Sequence, residues 1–257
     1  MQASISIGQD PAVRYLLRLG DLCLIHAQRL SEWCGHAPIL EEDIALSNIA
    51  LDHIGQARGV LTRAGQLSGH ALDEDQLAFL REERDYLNPT LVELPRGDFA
   101  RTTVRNLMVA TLLELLWDAL TRSSDSELAA VAGKAVKEAR YHRVHAGDWL
   151  VRLGDGTAES RRRIEAAIEE LWPYTRELFE SDAVDDAADA SGLGPRWAAL
   201  EGAWRQAMEA TLAEAGLTAP AARAFISRGR QGVHSEHMGH MLSEMQYLQR
   251  AYPGGVW

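Results

Sequence analysis

Helical periodicity runs through this chain from end to end, and four of its periodic runs are long enough to build a bundle. Apolar residues recur at three- and four-residue spacing, and no stretch alternates with the period of a strand. This pattern predicts an all-α protein. The first run covers about 10–33, opening on Asp10-Pro11, a capping aspartate followed by proline at the first helical position, and stopping before Gly35 and Pro38. The second covers about 38–67. Its apolar surface, with Ile44, Ile49, Leu51, Ile54 and Leu61, is broad enough for burial on more than one side. Asp98 caps a third run over about 99–122. The turn Ser123-Ser124-Asp125 leads into a fourth over about 126–153, ended by Gly154-Asp155-Gly156.

The long runs form two pairs, each with a short internal turn. The connection between pairs is long: a short helix at about 75–84, then a loop over 86–99 containing Asn88-Pro89 and Pro95-Arg96-Gly97. Two hairpins joined by one crossover predict a ferritin-like four-helix bundle. Peripheral helices are expected at about 157–181 (kinked at Pro173), 197–215, 220–228 and 233–252. The acidic run from Asp182 to Asp189 reads as an exposed connection. Without a convincing linker, residues 1–257 are expected to form one domain.

Several classes of function are disfavoured. A formal net charge of −11 is the wrong sign for a nucleic-acid binder. The clusters Arg161-Arg162-Arg163 and Arg223 to Arg230 read as solvated faces. No apolar run approaches a membrane span and the N-terminus lacks a signal-peptide pattern, so a cytoplasmic location is expected. Cys23 and Cys34 read as two thiols of a reducing compartment. Phosphate-loop, dinucleotide-binding and serine-elbow motifs are absent.

The candidate chemistry lies on the fourth helix. Lys137-Glu138-Ala139-Arg140-Tyr141-His142 almost spells the Glu-x-x-His motif of carboxylate-bridged di-iron bundles, in which spacing i, i+3 sets both ligands on one face. Tyr141, not histidine, stands three residues after Glu138. Nowhere does an acidic residue precede a histidine by three. Glu138, His142 and His145 still share a face and could ligate one metal; the blander reading is a hydrogen-bonded polar seam. On the second helix, Asp52-His53-Ile54-Gly55-Gln56 carries His53 and Gln56 where a metal helix would hold a ligand pair. Glutamine is a weak ligand and a good hydrogen-bond partner. The C-terminal cluster His234, Glu236, His237, His240 and Glu244 drifts around its helix. Interface or capping roles suit it better than ligation, with His240 and Glu244 as an i, i+4 pair.

Several blocks resemble one known family. They are Leu19-Gly20-Asp21, Glu32-Trp33-Cys34-Gly35-His36-Ala37-Pro38, Asn48 to Asp52, Gly55-Gln56-Ala57-Arg58 and Lys137 to His142, and the ending His234, Glu236, His237 and Glu244 to Arg250. They look like the PaaC family, the C component of bacterial phenylacetyl-CoA epoxidase, and the resemblance spans nearly the whole chain. It implies a ferritin-like subunit of an NADPH-dependent monooxygenase that epoxidises the ring of phenylacetyl-CoA in aerobic phenylacetate breakdown. It implies no catalytic residue, cofactor or metal in this chain. His53, Gln56, Glu138, Tyr141 and His142 would then be degenerate metal-site positions. The di-iron centre would sit in a partner catalytic subunit, with a small accessory subunit and a reductase carrying FAD and an iron–sulfur cluster. The seven tryptophans would suit a large interface or, more blandly, the core. Two alternatives stay open: a stand-alone metalloenzyme using Glu138, His142 and His145, and a generic helical interaction module.

Overall fold

A computed structural model describes residues 3–70, 72–221 and 224–255. Among them the secondary structure is helical, apart from one isolated bridge between Arg228 and Val233. The bundle consists of α1 (Pro11–Ser31), α2 (Leu40–Leu67), α5 (Phe99–Leu120) and α6 (Ser126–Gly154), with α3 (Glu74–Phe79) and α4 (Thr90–Glu93) on the crossover. Beyond it come α7 (Ala158–Leu171), α8 (Ala183–Ser191), α9 (Glu201–Glu214), α10 (Glu236–Met245) and α11 (Tyr247–Ala251). The architecture is an all-α, ferritin-like bundle with added C-terminal helices.

Local chemistry sets the long helices' starts. The Asp10 carboxylate accepts from the amides of Ala12 (2.8 Å) and Val13 (3.1 Å), satisfying orphan donors ahead of α1. Asp98 does the same for α5 through Arg101, and Asp125 for α6 through Glu127 and Leu128. α2 lacks a side-chain cap. It carries Glu41, Glu42 and Asp43 in its first turn, where the helix dipole favours negative charge.

α1 pairs with α2, α5 with α6, and α2 packs against α6. The α1/α2 approach is close: a methyl group at Gly20 would lie 2.8 Å from Leu61 Cδ2, so that contact depends on glycine. A further layer lies on the other side. α8 and α4 cover α1, and α7 and α9 cover α5. This explains why α1 is buried almost without interruption from Val13 to Ala27 and α5 from Thr102 to Leu113. Trp117, Trp197 and Trp204 are fully enclosed, and Trp33 and Trp172 nearly so; these tryptophans serve the core rather than an outer face.

Several peripheral expectations need correction. The 157–181 helix ends at Leu171 and tightens into a 3-10 segment over Trp172–Phe179, because Pro173 has no amide to continue the α ladder. The expected helix at 220–228 is absent from its described part: residues 220–221 and 224–227 are irregular and Arg228 sits in the isolated bridge, while residues 222 and 223 lie outside the described residues. Just beyond this stretch, Gly229 packs closely against the crossover. A methyl group on it would come within 2.4 Å of the Asn88 carbonyl oxygen. The 233–252 helix starts at Glu236 and breaks near Gln246 into α10 and α11.

The acidic run 182–189 is the largest correction. It forms α8, capped by Asp182, and Asp185 is fully buried. Arg18 of α1 pairs with Asp182 and Asp185, and Arg230 reaches Asp185 at 2.9 Å. Glu177 accepts from the amides of Thr90 (3.0 Å) and Arg230 (2.7 Å). Buried carboxylates and guanidiniums are tolerable only when paired and hydrogen-bonded, as here.

Candidate functional site

Where α1, α2 and α6 meet, the bundle interior turns polar. Cys23 and His26 come from α1, His53 and Gln56 from α2, and Glu138 and His142 from α6. The rings of His26 and His53 stand 5.0 Å apart, and those of His53 and His142 4.9 Å. All three histidines are buried.

Gln56 organises one half of this seam. Its amide nitrogen donates to Glu138 Oε2 at 3.0 Å, which turns its oxygen toward α1 and its own helix. That oxygen accepts from His53 Nδ1 at 3.1 Å and from the Cys23 thiol at 3.6 Å. An amide oxygen only accepts, so His53 carries its proton on Nδ1. In the other half, His142 Nε2 donates to Asp52 Oδ2 at 3.0 Å, and His145 Nε2 lies 3.1 Å from Glu42 Oε2. Lys134 approaches Glu138 at 3.2 Å from the exposed side. Tyr141 is exposed and stacks on the His145 ring.

Burial disfavours the charged form of each ring. It pulls His53 down to about 3, with the neighbouring His142 adding to the effect. It pulls His142 down to about 4. His26 falls well below the ordinary value, through burial and then His53 and Arg105. The Cys23 thiol is pushed up, mainly by burial and then by Glu138. At neutral pH the seam holds three neutral imidazoles and a protonated thiol.

Do these residues fit a metal pair? A bundle metal needs carboxylates and imidazoles converging with free lone pairs. Here the position three residues before His142 is Ala139, fully buried, with a methyl where a carboxylate would stand. Glu138 is engaged by Gln56 and Lys134, His142 by Asp52, and His145 turns away to Glu42. Among the described residues no group of three or more His, Cys, Asp or Glu side chains is arranged to hold a metal ion. The donor set does not fit a di-iron centre, nor does the trio Glu138, His142 and His145 converge.

The remaining singled-out residues are scattered through the fold. Asp21 is buried, pairs with Arg81 and accepts from the Leu87 amide at 2.8 Å. Glu32 meets Arg29 at 2.6 Å. The Trp33 indole donates to Thr102 at 2.9 Å beneath the Arg96 guanidinium. His234 sits between Glu93 Oε2 (2.6 Å) and the Tyr86 carbonyl (2.9 Å). Glu236 is exposed in the first turn of α10, and the His237 carbonyl faces Arg29 at 3.5 Å. His240 and Glu244 are both exposed, and no hydrogen bond joins them: each points to water, where such a pair gains little.

Sequence reasoning missed His26, Glu42 and Glu93. His26 had a readable signal, since Cys23 and His26 at i, i+3 share one face of α1. Glu42 and Glu93 had none, because their partners lie far along the chain.

Fold and seam together define a ferritin-like bundle protein whose central polar positions are closed by hydrogen bonds rather than arranged as a ligand sphere. The chain belongs to the phenylacetic acid catabolic protein family, whose profile matches residues 2–257. It is similar to the C component of the 1,2-phenylacetyl-CoA epoxidase of Escherichia coli (strain K12), with 48% identity over 243 residues, covering 95% of this chain and 98% of the relative.

Proposed function

We propose that this chain is a non-catalytic subunit of a multicomponent phenylacetyl-CoA epoxidase, working in the cytoplasm in aerobic phenylacetate breakdown. The observation that carries this reading is end-to-end similarity to the C component of such an epoxidase, combined with a seam that lacks convergent ligands. In this reading the di-iron centre belongs to a partner bundle, with a small accessory subunit and an NADPH-using reductase carrying FAD and an iron–sulfur cluster completing the system. His53, Gln56, Glu138, Tyr141 and His142 are the retired counterparts of metal positions. Neutral imidazoles and an amide fill the interior there because uncompensated carboxylates would be costly without a cation.

The reading also takes residues 1–257 as one ferritin-like domain. Buried ties between distant segments support it: Arg18 to α8, and Glu177 to both Thr90 and Arg230. No helix among the described residues is long and apolar enough to cross a membrane.

The decisive experiment co-expresses this chain with the di-iron subunit of its own operon or genome. Co-elution on size exclusion is expected, with iron assigned to the partner after the chains are separated. Stoichiometric iron retained by this chain, and lost in Glu138→Gln or His142→Asn, would refute the proposal.

A further inference from the structure

Four arginines are buried among the described residues, and three of them are paired with carboxylates. Arg18 meets Asp182 and Asp185, Arg81 meets Asp21, and Arg230 meets Asp185. Arg105 of α5 is the exception. It is fully enclosed, and no carboxylate among the described residues pairs with it. Its guanidinium presents two different edges. Nη1 donates to the Leu94 carbonyl at 2.7 Å and to the Pro95 carbonyl at 3.1 Å, which ties α5 to the end of the crossover. Nε and Nη2 are buried and have no acceptor among the described residues. These two nitrogens make up one side of the planar fork, the side that grips an anion through two parallel N–H bonds.

The surroundings add positive charge. Burial, then Arg101 and Arg29, pull the Arg105 guanidinium down to about 9, and Glu32 opposes them only weakly; the group is still a cation at neutral pH. The carboxylates that pair with its two neighbours lie toward solvent. Glu32, on Arg29, is 37% exposed and Glu170, on Arg101, is 56% exposed. Glu93, next to Leu94 in the chain, directs its carboxylate to His234, Asn88 and Ser235. A buried cation without a counter-charge is costly, and an anion seated on its free edge offsets that cost.

We propose that the free edge of Arg105 binds a chloride ion inside the protein, where α5 meets the crossover. A halide suits an enclosed place better than a larger oxyanion, because it needs room for only about one water molecule. Its role is structural: it neutralises the guanidinium whose other edge holds the Leu94 and Pro95 carbonyls, and so secures the crossover on α5. The inference concerns what this chain itself carries and does not depend on the epoxidase reading.

Urea unfolding of the purified full chain tests it, at constant sodium concentration with gluconate replaced stepwise by chloride. Stability should rise with chloride and saturate. At about ten times the chloride Kd the unfolding constant should be about tenfold lower than in gluconate alone. Arg105→Lys keeps the charge but loses the fork, and should abolish the saturable response. Arg162→Gln, at an exposed arginine, should respond as the wild type does. Crystals soaked in bromide give a readout that needs no variant: an anomalous peak is expected within hydrogen-bonding reach of both Nε and Nη2 of Arg105. If Arg105→Lys does not fold, that map decides. A response that never saturates overturns the proposal, as does a saturable one that Arg105→Lys retains. So does a bromide map with peaks only at surface arginines, or with a water at Arg105 and no anomalous signal there.

Discussion

His234 and the central seam bury the same side chain and treat it in opposite ways. His234 has a carboxylate at 2.6 Å, and Glu93 raises its pKa above the ordinary value although burial opposes this. His26, His53 and His142 have mainly one another and an amide for company, and burial drives all three down. Burial opposes the charged form of all four rings, and only His234, with the buried Glu93 carboxylate against it, is raised. His142 is the instructive intermediate. It bonds Asp52, but that carboxylate is partly exposed, and the ring stays depressed. The seam's three imidazoles are thus neutral, with its carboxylates, Glu138 and Asp52, at the edge.

The largest effect should come from removing the carboxylate that makes the difference. Glu93 also accepts from the Asn88 amide (2.9 Å) and the Ser235 backbone (2.6 Å), all in a fully buried position. Glu93→Ala strands His234 and two donors, and should cost about 3–5 kcal/mol in urea unfolding. If His234 owes its raised pKa to Glu93, its NMR titration midpoint should drop below that of a free histidine in Glu93→Gln. A midpoint that stays high would break the comparison.

The pH dependence should separate the two regions by sign. In the seam the folded pKa values are depressed, so unfolded chains bind protons first as pH falls below about 6.5. Stability from His53 and His142 is complete above that pH and is lost as pH falls toward their folded values of about 3 and about 4. Over the first 1.5 pH units the loss approaches about 2 kcal/mol for each ring. His234 runs the other way: its contribution is full below about 6.5 and fades as pH rises through its raised pKa. Urea titrations at pH 5, 6 and 7 should show a shallower acid slope in His53→Gln. His234→Gln should lose more stability at pH 6 than at pH 9. Equal slopes in wild type and His53→Gln would mean that the seam is already hydrated.

What the sequence made legible follows from how local each determinant is. The ends of α1, α5 and α6 rest on capping aspartates a few residues away, so they could be read directly. The missing Glu-x-x-His spacing was legible for the same reason. Asp185 was not. An acidic run looks solvated until Arg18 and Arg230, 167 and 45 residues distant, close around it. The position of Gly229 is likewise set by Asn88 and Thr90, far along the chain, rather than by local helix propensity. Glu93 sits in what reads as a loop, and only the fold brings His234 to it.

Two smaller tests bear on how the seam is held. Gln56 has three bonded neighbours, and Gln56→Leu should cost about 1–2 kcal/mol, since His53 and Glu138 each lose a partner in or near the interior.

Lys134 is the control for that result. It touches the same Glu138 carboxylate at 3.2 Å, but from a side chain that is 81% exposed. An exposed i, i+4 pair contributes about 0.3–0.5 kcal/mol and is screened by salt. Lys134→Ala should therefore move the urea midpoint barely at all, and less still at roughly 0.5 M salt. The histidine titrations should not shift. The pair of results distinguishes two views of Glu138. If the amide bond dominates, Glu138 is anchored inward as part of the seam. If Lys134→Ala costs as much as Gln56→Leu, Glu138 belongs to the surface, and the seam ends at Gln56.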